Sequence, residues 1–505
     1  SSGNSFTGTG DLTFDTASNT ITVSDPIANT GGVIKEDSGT LVLAGTNSFT
    51  GSTTVSGGTL NLTGSLPNTT ALTVASGALF DTSNDETVGS IAGAGTIDIE
   101  HKTQLTVGGD NTSTTFSGVI RSDSGSGTGG ITKQGTGTLT LSGTNTFSGA
   151  ISVTAGTVAV TSNNALGDTT NRTNISSGAT LDLQNVNYST TEQVNTSGTI
   201  STSTGTSTLA GNVVLDGNST IDVDGTQLTL SGVVSGGNAI TKTGDGIAIL
   251  SATNTYTGDT TISAGTLRVT GSLNSYTDVS VSSGATYDID ASDTISSLSG
   301  AGTIDIANSQ TLTAGNSNNT SVSGVIQGAG GYTKVGTGTQ TLSGANTYTG
   351  NTAINGGVLK VTGSLSNSTA VNVGSSGQYN VEASDTVLSI EGSGTIDIAS
   401  SQVLTAGDTN NKTFSGVIQS AGGYTKAGSG IQTLSGTNTY TGSTIINAGT
   451  LKVTGSLSDS TAVRVASGAT YDIDATDTVG SLSGAGTVDI ASSQVLTAGN
   501  SSNQT

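Results

Sequence analysis

The stretch 422–442 reads GGYTKAGSGIQTLSGTNTYTG, and a near copy, GGYTKVGTGTQTLSGANTYTG, occupies 330–350, 92 residues earlier. The blocks around these phrases open with Ser-Gly-Val-Val at Ser231 and with Ser-Gly-Val-Ile at Ser323 and Ser415, so the spacing is 92 residues both times. A fixed long period predicts an array in which each unit buries its apolar faces against its neighbours. Function must then be sought on the surface of a repeated structure.

Less regular copies extend this array over the whole chain. We predict the tail of a preceding unit followed by five repeat units: 1–23, then 24–116, 117–230, 231–322, 323–414 and 415–505. The second unit is the longest, with a Ser/Gly insertion near 122–128 and further surplus around 171–211 that could form most of an extra coil. The chain ends at a repeat seam and is interpreted as a segment of something longer.

The composition favours an all-β fold over the other classes. Glycine accounts for 76 of 505 residues and proline for only 2, which excludes collagen. Aromatic residues make up 3% and hydrophobic residues 31%, so a disordered chain is the alternative. Short runs that alternate apolar and polar residues, such as Thr-Ile-Asp-Ile at 395–398, are instead typical of half-buried strands. No stretch has helical periodicity.

The arrangement of these strands predicts a solenoid. The chain has no Trp, Met or Cys to fill a broad core, whereas a solenoid needs only a thin core of Val, Ile, Leu, Thr and Ala. Strands about every 8 residues suit a three-sided coil with about 23 residues per rung, hence about four rungs in each unit. A β-propeller is the structural competitor, but its blade signature does not occur. We therefore predict a parallel β-helix, or β-solenoid.

The repeated phrase has fixed marks in all five units. A lysine is followed by a leucine eight residues later, an asparagine twelve residues later and an aromatic residue fourteen residues later. The lysines are Lys35, Lys133, Lys242, Lys334 and Lys426; the leucines are Leu43, Leu141, Leu250, Leu342 and Leu434; the asparagines are Asn47, Asn145, Asn254, Asn346 and Asn438; the aromatic residues are Phe49, Phe147, Tyr256, Tyr348 and Tyr440. Asp37 and Ala252 depart from the pattern by replacing glycines.

This pattern resembles the passenger-associated strand repeat of Gram-negative autotransporters, and the resemblance covers nearly the whole chain. It implies a right-handed parallel β-helix displayed on the bacterial surface, anchored at the outer membrane or released.

Backbone chemistry predicts a role for the repeated glycines, asparagine and aromatic residue. The glycines of Lys-x-Gly-x-Gly would permit positive φ at corners. The asparagine would take a left-handed backbone conformation, and the aromatic residue would pack over that corner. Equivalent residues, about four rungs apart, would then mark one edge of the solenoid.

The charge of the chain restricts its partners. The net charge is −22 and the isoelectric point is about 4.1, which disfavours nucleic acid and anionic membranes. No run of 18 apolar residues occurs, so we expect no membrane insertion by this segment. The absence of cysteine suits a chain that crosses an envelope unfolded.

The sequence gives only weak indications of a catalytic or metal-binding site. His101 is the only histidine, so a histidine-dependent triad is nearly excluded, and no phosphate-binding loop precedes a helix. Carboxylates remain: Asp288 and Asp290, like Asp472 and Asp474, would both point outward from a strand. Asp293 and Asp477 follow at the next turn, and such clusters could bind calcium, although a solvated acidic face is the default. We assign no catalytic, cofactor-binding or metal-binding residue and no cofactor.

The function that fits best is a non-catalytic stalk or adhesin passenger that mediates adhesion or cell–cell aggregation. Weak contacts by Thr, Ser, Asn and Asp side chains would be summed by multivalency. The expected partners are a host or neighbouring cell surface, or a second copy of the chain, and possibly polysaccharide. A subunit of a self-assembling extracellular fibre or coat is the alternative, and a polysaccharide-active β-helix enzyme is the third hypothesis.

Overall fold

The computed structural model describes residues 6–100, 102–122, 129–169 and 171–499, so His101 and most of the Ser/Gly insertion lie outside the described residues. All regular elements in these ranges are β-strands. The chain divides into two compact bodies, 1–258 and 259–505, which we call the N-terminal and C-terminal bodies.

The N-terminal body contains strands β1 to β30. In chain order they are Leu12–Asp15, Thr20–Val23, Val33–Glu36, Thr40–Leu43, Thr53–Val55, Thr59–Leu62, Ala71–Val74, Leu79–Thr82, Glu86–Val88, Ser90–Gly93, Thr96–Ile99, Gln104–Val107, Thr114–Phe116, Val119–Ser122, Gly130–Lys133, Thr138–Leu141, Ile151–Val153, Thr157–Val160, Thr173–Ile175, Thr180–Leu183, Asn187–Tyr188, Val194–Thr196, Thr199–Thr202, Thr206–Leu209, Val213–Leu215, Ser219–Val223, Gln227–Leu230, Val234–Gly236, Ile240–Thr243 and Ile247–Leu250.

The C-terminal body contains strands β31 to β62. In chain order they are Thr260–Ile262, Thr266–Val269, Asp278–Val281, Thr286–Ile289, Asp293–Ile295, Ser297–Gly300, Thr303–Ile306, Thr311–Ala314, Thr320–Val322, Val325–Gly328, Gly331–Lys334, Thr339–Leu342, Thr352–Ile354, Gly357–Val361, Ala370–Val373, Gly377–Val381, Asp385–Val387, Ser389–Gly392, Thr395–Ile398, Val403–Ala406, Lys412–Phe414, Val417–Gln419, Gly423–Lys426, Ile431–Leu434, Thr444–Ile446, Thr450–Val453, Ala462–Val465, Thr470–Ile473, Asp477–Val479, Ser481–Gly484, Thr487–Ile490 and Leu496–Ala498.

Each body is a parallel β-solenoid, which confirms the predicted fold class. Apart from the strands that begin a sheet, each strand pairs in parallel register with the strand one turn earlier, so three faces are built from stacked short strands. Side chains alternate between the core and the outside, as the period-two pattern predicted. In β34, Tyr287 and Ile289 are fully buried, while Thr286 and Asp288 point outward.

The turns are short. Thr303 pairs with Thr286 on the turn before it and with Val325 on the turn after it, and Tyr332 pairs with Thr352. These pairings correspond to turns of about 20 residues. The predicted rung of about 23 residues is therefore slightly too long. The reason is that corners between strands such as β34 and β35 take only three residues.

The 92-residue repeat is not a whole number of turns. Tyr287, Tyr379 and Tyr471 are equivalent residues at intervals of 92, yet their strands β34, β46 and β58 lie in three different sheets of the C-terminal body. With turns of about 20 residues, 92 residues make four complete turns and about two-thirds of a fifth. The expectation that equivalent residues mark one edge is therefore wrong, since each repeat moves them to another face.

The second repeat unit is longer than four and about two-thirds turns. In the N-terminal body, Lys133 on β15 lies in a different sheet from Lys35 on β3, as an advance by that number of turns requires. Lys242 on β29 lies again in the sheet of Lys35. A further advance of four and about two-thirds turns from Lys133 would have placed it on the third face instead. The second unit thus adds about two-thirds of a turn, which agrees with the extra coil that its surplus length predicted.

Removal of one repeat should preserve this architecture. We expect a chain that lacks 323–414 to fold, because the residues that follow would stack on the preceding repeat through equivalent partners. Gln419, for example, donates a hydrogen bond to Asp397 and would instead meet Asp305, which now accepts one from Gln327. Circular dichroism and thermal unfolding of the purified chain would measure the result.

A half-repeat deletion is the matched control. Loss of 323–368 removes Leu365, whose backbone N–H bonds to the buried carboxylate of Asp385. We expect this chain to melt at a lower temperature or to aggregate. Equal melting of both deletion variants would show that the 92-residue unit is not the structural module.

Candidate functional site

The repeated lysine is buried and bonds to the backbone. Lys334 and Lys426 are each 1% exposed. The Lys334 ammonium donates to the carbonyls of Val335 at 2.6 Å and Gly336 at 3.4 Å, and to Gly356 on the next turn at 3.2 Å. Burial lowers the pKa of both lysines. This side chain satisfies corner carbonyls that would otherwise be buried without a donor, so it is no anion-binding group.

The two glycines after this lysine have different roles. The first, as in Gly336 and Gly428, has φ of +70° and +67°, as predicted, and Asp37 in its place adopts φ of +60°. The second has no positive φ; a Cβ on Gly430 would lie 2.1 Å from the carbonyl oxygen of Asn410. The expectation of positive φ at the second glycine is wrong, because that residue is needed for close contact between turns.

The repeated asparagine connects neighbouring turns. The Oδ1 of Asn346 accepts the backbone N–H of Ile326 at 3.0 Å, and its Nδ2 donates to the carbonyls of Gly344 at 3.1 Å and Ser364 at 2.9 Å. Asn438 makes the same set of bonds. Neither residue has positive φ, so the predicted left-handed conformation is wrong. The side chain replaces strand hydrogen bonds where the ladder is interrupted.

The repeated aromatic residue is part of the core. Tyr348 and Tyr440 are fully buried, and each hydroxyl lies 2.6 Å from the Oγ1 of a threonine four residues later, Thr352 and Thr444. Two further tyrosines, Tyr332 and Tyr424, are fully buried, but their hydroxyls have no hydrogen-bond partner.

A buried carboxylate completes this interior set. Asp385 accepts hydrogen bonds from the Tyr379 hydroxyl at 2.6 Å, from the Leu365 N–H at 3.1 Å and from the Thr386 N–H at 3.0 Å. Burial raises the pKa of Asp385, and also those of Asp293 and Asp477 at the equivalent positions. Asp293 and Asp477 therefore point into the core and do not extend the outer acidic pairs, contrary to expectation.

The two classes of tyrosine should respond differently to loss of the hydroxyl. We expect Tyr379→Phe to lower the free energy of unfolding by about 1–3 kcal/mol, because it leaves Asp385 with one donor fewer in the core. The control, Tyr424→Phe, should leave stability unchanged or raise it, because the removed hydroxyl has no partner. Urea unfolding would measure both; a loss at Tyr424→Phe as large as that at Tyr379→Phe contradicts these assignments.

Glu192 in the N-terminal body should make stability depend on pH. It is 2% exposed and accepts a hydrogen bond from the Thr173 hydroxyl at 2.6 Å, and burial raises its pKa to about 8 from an ordinary 4.5. A raised carboxyl pKa gives stability that is complete below about pH 4.5 and is lost as the pH rises to about 8.

We therefore expect the wild type to lose more stability than Glu192→Gln between pH 5 and pH 8, in urea unfolding of the intact chain. The difference between the two proteins removes the contributions of other carboxyl groups, such as Glu86. A difference that is the same at both pH values would refute the role of Glu192.

The outward acidic pairs are held by cationic side chains. Asp288 and Asp290 point outward as predicted, and the Nε of Arg268 lies 2.6 Å and 3.6 Å from their Oδ2 atoms. The Lys452 ammonium lies 3.2 Å from Asp472 and 2.5 Å from Asp474. The described residues contain no group of three or more His, Asp or Glu side chains placed to hold a metal ion. Each outward pair is thus bound by a cationic side chain of the neighbouring turn, and the expectation that the chain has no metal-binding residue stays a prediction.

Two equivalent grooves lie on the outer surface of the C-terminal body. The first has a volume of about 290 Å³ and the second about 280 Å³. The first is bordered by Ser309, Gln310, Gly330, Gly331, Gly350 and Asn351, and the second by Ser401, Gln402, Gly423, Gly442, Ser443 and Ile445. Since the residues of the second follow those of the first by 92, the grooves lie on different faces.

Glycines create these grooves. A Cβ on Gly350 would lie 2.4 Å from the carbonyl carbon of Gly330, so consecutive turns touch there without side chains. The borders offer amide and hydroxyl groups beside apolar side chains such as Ala353 and Ile445, and no charged side chain, which suits an uncharged ligand. The grooves were not predicted from the sequence, where their signal is the Gly-Gly pair before Tyr332 and Tyr424. The prediction of no catalytic residue stays a prediction.

In the described ranges, no helix has the length and apolar character needed to cross a membrane.

Comparison with known proteins identifies the repeats. The family model described as passenger-associated-transport-repeat matches five segments: 33–62, 131–160, 240–269, 333–361 and 425–453. A curated relative, described as an adhesin BmaC autotransporter from Brucella suis biovar 1 (strain 1330), is 37% identical over 384 residues. The match covers 71% of this chain but only 11% of that protein, so the chain spans about a tenth of its relative. No solved structure matches.

Proposed function

The chain is a stretch of autotransporter passenger built from passenger-associated-transport repeats, and from that premise we propose that it is a non-catalytic adhesive stalk. Similarity to an autotransporter adhesin implies exposure at the surface of, or secretion from, a Gram-negative bacterium. The observation that carries the proposal is the 37% identity to that adhesin over 71% of the chain. The non-catalytic role rests on the same similarity.

The surface suits binding by repetition. The side chains that are most strongly repeated, such as Lys334 and Asn346, lie in the interior, so a partner meets threonine, serine and asparagine. The two grooves offer similar linings of polar and apolar residues, without a charged side chain, on two faces. Sites that are weak singly gain overall affinity when one surface engages several of them at once.

The partner is a host or neighbouring cell surface, and a neutral polysaccharide is the ligand chemistry that the grooves favour. Self-association of the chain, anchoring at the outer membrane, the extracellular fibre and the polysaccharide-active enzyme stay predictions from the sequence.

Blocking both grooves tests this proposal. Asn351 and Ser443 are exposed and border the two grooves. We expect the double variant Asn351→Trp, Ser443→Trp to bind cells at least about tenfold more weakly than the wild type, since both sites are lost together. The assay is binding of the fluorescently labelled chain to cultured epithelial cells and to bacterial cells.

The matched control places the same side chains elsewhere on the same strands. Asn355 and Asn447 are exposed at the other ends of β43 and β55, away from the grooves. The variant Asn355→Trp, Asn447→Trp should bind like the wild type. Equal binding by both double variants would remove the grooves as the adhesive sites, and no cell binding by the wild type would contradict the adhesive role itself.

A further inference from the structure

We propose that a polar pocket of the N-terminal body binds a sugar unit that carries a carboxylate, through the guanidinium of Arg172. The pocket has a volume of about 300 Å³ and lies in the surplus length of the second repeat unit. The described residues that line it are all polar: Thr169, Asn171, Arg172, Thr191, Gln193 and Asn212. Arg172 is the one charged side chain among them, and it is exposed.

Three of these side chains form a column on consecutive turns. Arg172, Gln193 and Asn212 directly precede β19, β22 and β25, whose first residues pair in parallel register. Since neighbouring strands lie about 4.8 Å apart, one cation and two amides are presented within about 10 Å. The volume of the pocket is near the lower limit for ligand sites, which restricts the bound group to a small unit.

Hydrogen bonds to the protein orient both amides. The Nε2 of Gln193 donates to the Oδ1 of Asn195 at 2.6 Å, so its Oε1 is left to accept from a ligand. The Oδ1 of Asn212 accepts the backbone N–H of Val233 at 3.0 Å, which leaves its Nδ2 to donate. Asn195 is 7% exposed and in turn donates to the Oδ2 of Asp216 at 2.9 Å. An acceptor and a donor held in this way suit sugar hydroxyl groups, each of which both donates and accepts.

The guanidinium of Arg172 is available for an anion. Within the described ranges it has no hydrogen-bond or ion-pair partner, whereas Arg121 binds Asp98 and Arg268 binds Asp288. A guanidinium presents paired N–H donors whose geometry matches the two oxygens of a carboxylate. The group that completes this site is therefore a carboxylate on the sugar.

The carboxyl group beneath the pocket does not oppose an anion at neutral pH. Glu192 lies between Thr191 and Gln193 but points inward and is 2% exposed. Burial raises its pKa to about 8, so it is mostly protonated and uncharged at pH 7. Asp168 is exposed but does not line the pocket. The charge that a ligand meets in the pocket is therefore that of Arg172.

The other repeat units lack this cation. Counted from the repeated aromatic residue, Arg172 and Gln193 lie on the second and third turns, and the corresponding positions elsewhere hold alanine or aspartate followed by serine. These pairs are Ala71 and Ser90, Asp278 and Ser297, Ala370 and Ser389, and Ala462 and Ser481. The solenoid itself thus requires neither Arg172 nor Gln193, and their long polar side chains build a pocket that is particular to the second unit.

Direct binding to the purified intact chain tests this site without reference to adhesion. Methyl β-D-glucuronide is the probe, methyl β-D-glucoside is its uncharged counterpart, and acetate carries the carboxylate alone. We expect NMR titration to give a dissociation constant of about 1 mM for the glucuronide and at least about tenfold weaker binding of the other two, because only the glucuronide engages both the guanidinium and the amides. The variant Arg172→Gln should weaken glucuronide binding at least about tenfold.

Arg464→Gln is the matched control, because Arg464 is exposed, has no ion-pair partner among the described residues and does not line the pocket. It should bind the glucuronide like the wild type. Thr191→Trp, which fills the pocket and keeps the charge of Arg172, should abolish binding. Absence of binding up to about 20 mM glucuronide, equal binding of the glucoside or of acetate, or equal losses in the two arginine variants would overturn the proposal. Because this assay contains no cells, its failure is distinguishable from failure of the adhesive role.

Discussion

The in-register hydrogen bonding of each turn to the next is the constraint on which this structure depends. It fixes which side chains enter the core, as in β34, where Tyr287 and Ile289 point inward. It also leaves corner carbonyls and interrupted strands that must be satisfied inside a thin core. The buried ammonium of Lys334, the amide of Asn346 and the carboxylate of Asp385 meet this need, each bonding to backbone of its own and of a neighbouring turn.

The elements that follow from periodicity could be predicted, and those that depend on side-chain direction at corners could not. The alternation of apolar and polar residues predicted the strands and the outward positions of Asp288 and Asp290, and the 92-residue spacing predicted the array of repeats. Asp293 was expected at a turn, but it is the first residue of β35 and points inward with Ile295, where its carboxyl group accepts a hydrogen bond from the Tyr287 hydroxyl. The change of face escaped prediction because a small error in the length of one turn accumulates to most of a turn over a repeat.

Family membership and function depend on different residues of this chain. The segments that match the repeat family include the buried lysine, asparagine and aromatic residue of each unit, so their similarity concerns how the solenoid is held together. The outward positions of the same strands vary between repeats: Arg268, Lys360 and Lys452 are equivalent, but Asn61 takes their place in the first unit. The outward side chains therefore differ from repeat to repeat, although the buried ones are nearly constant.

The fractional turn in each repeat couples length to orientation. In the C-terminal body, gain or loss of one 92-residue unit changes the number of turns by four and about two-thirds, so everything beyond the change is rotated by about a third of a revolution. The chemistry at the joint stays the same, because equivalent residues meet there. Recombination between repeats would thus rotate the distal surface in steps of about 120°, and variants of different length would present different sides to the same neighbour.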